Sequence, residues 1–137
     1  MSSFNENLLL DLSKKSLEGI EFPADFILPA YQSQSILNIP ATLCAYFGAA
    51  PIHGEPLRPE IITPVEGDIQ RIILVLMDAL SLDRFTKWMR AGKIPVWNQL
   101  LKSGILAPIT SITPSTTSSA MTTLWTGQSP AEHGVAG

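Results

Sequence analysis

Histidine and cysteine are scarce in this chain, and both shortages limit what it can do. There is a single cysteine, Cys44, so no intrachain disulfide can form. With no thiol partner and no adjacent histidine, Cys44 reads as a small buried hydrophobe. There are only two histidines, His53 and His133, too few for a histidine-rich metal centre. Positive charge is also short: 9 Lys and Arg stand against 12 Asp and Glu. No stretch gathers the basic residues that a nucleic-acid duplex would require. The N-terminus has no basic leader, and no apolar run approaches the ~20 residues needed to span a bilayer. A cytoplasmic protein with no membrane partner is therefore expected.

What is present suits a packed core. Hydrophobic residues make up 45% of the 137 positions and charged residues 15%, a balance that argues against wholesale disorder. Leu8, Leu9, Leu12 and Leu17 predict a helix within residues 1–20, stopped at Gly19. The prolines of residues 21–29 forbid a long helix there, and residues 35–38 suit a short strand or turn. Pro40 to Phe47 reads as a helix closed by Gly48. Residues 49–68, punctuated by Pro51, Gly54, Pro56, Pro59, Pro64 and Gly67, read as a surface linker. Two units follow from this: an N-terminal lobe and linker over residues 1–68, and a second unit over 69–137.

The texture changes at Arg71. Ile72 to Met77 is a continuous apolar run of the kind found in a central parallel strand. Helices are expected at 81–91, 94–103 and 118–126, with a second strand at 105–112. Strand and helix in alternation predict an α/β fold, a parallel-type sheet with flanking helices.

Three constellations carry chemistry. Asp78 follows the first apolar run directly, and ligands of open α/β sheets gather beyond the carboxyl ends of strands. It suits a cation ligand, and equally a helix cap or turn residue. Residues 111–123 are rich in hydroxyls and sit where a strand turns into a helix. A hydroxyl there meets the unpaired N–H groups of the first helical turn, which suit a phosphate or oxyanion. Plain N-capping fits the same residues. Third, Thr126 to Val135 is a turn-rich stretch around His133, a residue that reads as a structural hydrogen-bonder.

Together the motifs Val75-Leu76-Met77-Asp78, Pro114-Ser115-Thr116-Thr117, Leu124-Trp125-Thr126-Gly127 and Pro130-Ala131-Glu132-His133-Gly134 resemble one family. They are similar to the type I phosphodiesterase/nucleotide pyrophosphatase branch of the alkaline phosphatase superfamily, over about residues 70–137. The resemblance implies an alkaline phosphatase-like fold, incomplete in this chain. It implies two divalent metal ions, usually zinc, with Asp78 as one ligand. It makes Thr117, rather than Thr116, the nucleophile and a second metal contact. A phospho-threonine would form and then be hydrolysed. The substrate would be a small phosphate ester or a nucleotide-like molecule. Ser118-Ser119-Ala120 stand where many nucleotide-cleaving members carry Phe-Pro-Asn, and no Arg lies near Thr117 as in sulfatase relatives. The family's two further Asp and three His are expected beyond this chain, leaving the 137 residues inactive alone, with unpaired sheet edges. A non-enzymatic α/β anion-binding module and a metal-dependent phosphomutase of the same superfamily are the alternatives.

Overall fold

A computed structural model describes residues 6–14, 16–23, 25–51, 53–62, 67 and 69–137. Its helices in chain order are α1 (Glu6–Ser13), α2 (Ile39–Tyr46), α3 (Pro59–Ile62), α4 (Leu82–Arg90), α5 (Pro95–Leu100), α6 (Thr117–Thr126) and α7 (Pro130–His133). A 3₁₀ turn, Ile36–Asn38, leads into α2. No helix among the described residues is long and apolar enough to cross a membrane.

The N-terminal helix is shorter than its leucine pattern predicts. Leu8 and Leu12, one turn apart, are buried, and the Ser13 hydroxyl then donates to the Leu10 carbonyl in the last turn. Leu17 is exposed, and Gly19 sits in a separate turn closed by Ile20 N–H to the Leu17 carbonyl. Residues 1–5 of the expected helix lie outside the described residues. The 35–38 segment resolves as a turn rather than a strand. Ser35 caps it, and Asn38 returns a side-chain bond to the Ser35 N–H.

Arg58 fastens this lobe. Its guanidinium meets Asp11 of α1 at 3.1 Å and Glu60 of α3 at 3.0 Å, and its backbone N–H reaches the Ser33 carbonyl. Hydrogen bonding to Arg58 holds the Glu60 carboxyl below its usual range.

The lobe then docks on the segment expected as the second strand. Ser35 and Thr110 form a parallel bridge: Thr110 N–H donates to the Gln34 carbonyl, and Ile36 N–H to the Thr110 carbonyl, each at 2.9 Å. The Thr110 hydroxyl accepts from Ala30 N–H at 2.9 Å and donates to the Gln34 carbonyl at 3.2 Å. The Gln34 amide donates to the carbonyls of Leu8 and Pro108, joining α1 to the same segment. Buried apolar residues such as Leu37, Ala41 and Ile112 are thus matched by buried polar ones: Gln34, Ser35, Asn38, Thr42, Thr110, Ser119 and Thr123. Such a core depends on nearly complete hydrogen bonding. Asn38 meets that demand with bonds to Ser35, Tyr31 and Glu55.

The expected sheet is the main correction. Among the described residues there is no β-ladder, only isolated bridges. Ile105 to Ile112 has the one-residue bridge at Thr110, and Ile72 to Met77 has no strand partner among the described residues. A strand exists only by pairing, and an interior strand needs a neighbour on each edge and cover on both faces. Lacking them, the apolar run lies open: Ile73 is 87% exposed and Val75 69%. Cys44 is also corrected, being half-buried on α2 rather than sealed in the core.

After that run α4 and α5 pack together as a small unit. Ser81 caps α4 by accepting from Arg84 N–H, and Asp83 in the first turn with Lys87 and Arg90 in the last suit the helix dipole. Phe85 is buried and meets Trp97 of α5 edge to face at 5.2 Å. On the other side α6 packs on the 3₁₀ turn, α2 and α7.

Candidate active site

The site is built where two chain segments end. The first is the apolar run leading to Asp78. The Asp78 carboxylate accepts through Oδ1 from the following N–H, that of Ala79, at 2.8 Å. Ala79 has φ 56°, in the left-handed region that a side chain disfavours. The bond therefore fixes the carboxylate against its own backbone at a strained position, a common companion of functional sites.

The second segment is the turn into α6. It passes from Ile112, fully buried, through Thr113, Pro114 and Ser115 to Thr116, the N-cap residue. Thr116 has the extended backbone of an N-cap, but its hydroxyl does not cap the helix. It donates instead to the Ala136 carbonyl at 3.0 Å. Thr117 is the first helical residue, and the first intrahelical bond runs from Ala120 N–H to the Thr116 carbonyl. The N–H groups of Thr117, Ser118 and Ser119 consequently lack helical acceptors, and the positive end of the helix lies beside the Thr117 hydroxyl.

The two segments meet. Thr117 Oγ1 donates to Asp78 Oδ2 at 3.2 Å, across 39 residues of sequence. Both residues are exposed, so the pair is open to a ligand. Sequence spacing pointed to these two residues, and they are neighbours in space. Residues 72–137 match the type I phosphodiesterase / nucleotide pyrophosphatase family. The match begins at the apolar run and takes in both members of the pair, leaving residues 1–71 outside it. No curated protein and no solved structure matches the chain.

The remaining motifs brace the turn. Gly127 ends α6 with φ 70° and packs against the His53 carbonyl, where a Cβ would sit at 3.3 Å. The linker therefore presses on the C-terminus of α6, and only glycine fits both demands. His133 Nδ1 accepts from Val135 N–H, which leaves Nε2 to carry the proton and donate to Thr123 Oγ1 at 3.1 Å. Thr123 is fully buried on α6, so His133 acts as the structural hydrogen-bonder that its turn suggested. Ser129 opens α7 with a capping box, its N–H and hydroxyl both donating to Glu132 at 2.7 Å. Those two bonds hold the Glu132 carboxyl below its usual range.

Three features of the site were not foreseen: the left-handed Ala79, the diversion of the Thr116 hydroxyl to Ala136, and a bond from Thr113 N–H to the Tyr31 hydroxyl at 2.9 Å. The last joins residues 82 positions apart, and no local pattern encodes it.

As chemistry, the pair is an acceptor carboxylate and a hydroxyl aligned on it. An aliphatic hydroxyl is a weak nucleophile until a base or a metal activates it. Asp78 and Thr117 offer two oxygen donors within one ion's reach, which suits a divalent cation. No group of three or more His, Cys, Asp or Glu converges among the described residues, so the pair would be part of a centre and not the whole of it.

Proposed function

We propose that this chain carries the nucleophile and one metal ligand of a metal-dependent phosphate-ester hydrolase, in which Thr117 attacks phosphorus and Asp78 is the ligand. The observation that carries this reading is the Thr117–Asp78 contact at the N-terminus of α6. The family match over residues 72–137 supports a phosphodiesterase or nucleotide pyrophosphatase acting on small phosphate esters or nucleotide-like molecules.

Each feature has a part. The first-turn N–H groups of α6 receive the phosphate oxygens. Asp78 holds the Thr117 hydroxyl in line. Thr117 Oγ1 forms a bond to phosphorus as its proton passes to solvent, and the bond from phosphorus to the ester oxygen breaks, that oxygen departing with its alcohol group and taking up a proton from water. Water then cleaves the resulting phospho-threonine and regenerates the hydroxyl. Divalent metals held by Asp78, by Thr117 and by ligands from outside the described cluster would supply acidification of the hydroxyl and charge neutralisation.

In the active enzyme, Thr117→Ala should abolish hydrolysis of a p-nitrophenyl phosphate ester while sparing most metal content. Asp78→Asn should lower metal content. Surviving turnover in the first variant, or unchanged metal in the second, would refute the assignment. The purified 137-residue chain should be inactive, since the pair alone is not a two-metal centre. Phosphate binding without turnover in the metal-loaded enzyme would favour the anion-binding module, and transfer of phosphate between positions of a sugar phosphate would favour the mutase.

A further inference from the structure

The N-terminal lobe lies outside the family match, yet its residues hold the segment that delivers the candidate nucleophile. Residues 30–36 contact residues 108–113 at three successive points. Gln34 takes the Pro108 carbonyl, the bridge and the Thr110 hydroxyl fix Thr110, and Tyr31 takes Thr113 N–H. Tyr31 is itself secured, because its carbonyl accepts from the fully buried Asn38 amide at 2.8 Å.

Beyond Thr113 the turn has few restraints. Pro114 has no N–H to donate. Among the described residues, the hydrogen bonds holding 113–117 to the rest of the protein are Thr113 to Tyr31, Thr116 to Ala136 and Thr117 to Asp78, before α6 begins. The Tyr31 bond is the one on the N-terminal side of the turn. Catalytic groups must be held to within a fraction of an ångström, by neighbours that are themselves immobile.

We propose that Tyr31 is a positioning residue, its hydroxyl pinning the backbone at Thr113 so that Thr117 meets Asp78 in reactive register. The lobe is on this view a working part of the catalytic unit. The proposal rests on Thr117 as nucleophile. Tyr31→Phe removes only the acceptor oxygen and keeps the ring. Tyr46→Phe is the control, since the Tyr46 hydroxyl donates to the Ile62 carbonyl away from the turn.

In the catalytically competent, metal-loaded enzyme, Tyr31→Phe should speed hydrogen exchange at Thr113 at least about tenfold, in line with loss of a net hydrogen bond. It should lower kcat severalfold with KM within about twofold, because the loss falls on reactive geometry and not on ground-state binding. Tyr46→Phe should change neither. Unchanged exchange at Thr113, unchanged kcat, or a rise in KM alone would overturn the proposal. Retained turnover in Thr117→Ala would instead overturn the nucleophile assignment, and the Thr113 exchange rate separates the two failures.

Discussion

Thr110→Val tests whether the polar junction between lobe and turn carries real stability. Valine keeps the shape and the branched Cβ, which suits extended backbone. It removes one oxygen that accepts from Ala30 N–H and donates to the Gln34 carbonyl. The two losses differ in weight. The Gln34 carbonyl keeps its bond from Thr110 N–H, so it remains satisfied. Ala30 is 0% exposed, and its N–H would be left with no acceptor, at a cost of about 1–3 kcal/mol. The methyl that replaces the hydroxyl returns something under about 0.8 kcal/mol as buried apolar surface. A net destabilisation of about 2 kcal/mol is expected. For a chain of this length that lowers Tm by about 7 °C. Thr110→Ser keeps the oxygen and should cost less than half as much. Urea unfolding followed by circular dichroism would show a fall in midpoint at unchanged slope. A Thr110→Val chain within about 0.5 kcal/mol of the parent would refute the claim that Ala30 depends on this hydroxyl.

Two further substitutions read other parts of the same frame. Ser119 is fully buried on α6, and its hydroxyl has no hydrogen-bond partner among the described residues. Ser119→Ala removes an unmet polar group and improves helix propensity, so stability should rise by about 1 kcal/mol; a loss in the same unfolding assay would show that the hydroxyl has a partner. Glu132 gives a pH signature. Its carboxyl is held low by bonds from the Ser129 backbone and hydroxyl, so the folded pKa lies below the unfolded one. The stability it adds is full above the unfolded value of about 4.3 and fades as pH falls through the folded value. Thermal melts of Glu132→Gln and the parent should therefore differ at about pH 6 and converge as pH falls well below the usual carboxylate range, and a gap that stays constant as pH falls would contradict the capping role.

The helices of residues 81–126 were legible because their signals are local. Ser81, Pro95 and Gly127 mark their ends, and the observed bounds fall within a few residues of the expected ones. The Asp78 and Thr117 pair was legible for another reason: each closes a short motif, and family spacing linked motifs that local physics left as separate candidates. The sheet was not, because an apolar run states only that a segment can be buried on both faces. Whether it is buried depends on partners that the run does not contain, and Ile73 to Met77 lie exposed.

The same distinction explains why the N-terminal lobe gave no functional signal. Tyr31, Gln34 and Asn38 are ordinary residues in a segment with no motif, and each matters through a contact 7 to 82 positions away. Their effect on the site runs through backbone groups of Pro108, Thr110 and Thr113, which any sequence would supply. A family pattern records motif residues inside the matched segment; it does not record what holds the backbone from outside it. That is why the match can start at residue 72 while the turn carrying Thr117 is anchored from residues 30–38. Removing residues 1–62 should then free Ala30's partner Thr110, Tyr31's partner Thr113 and the buried face of α6 together, so the matched segment would lose the turn that carries Thr117 before it lost any motif residue.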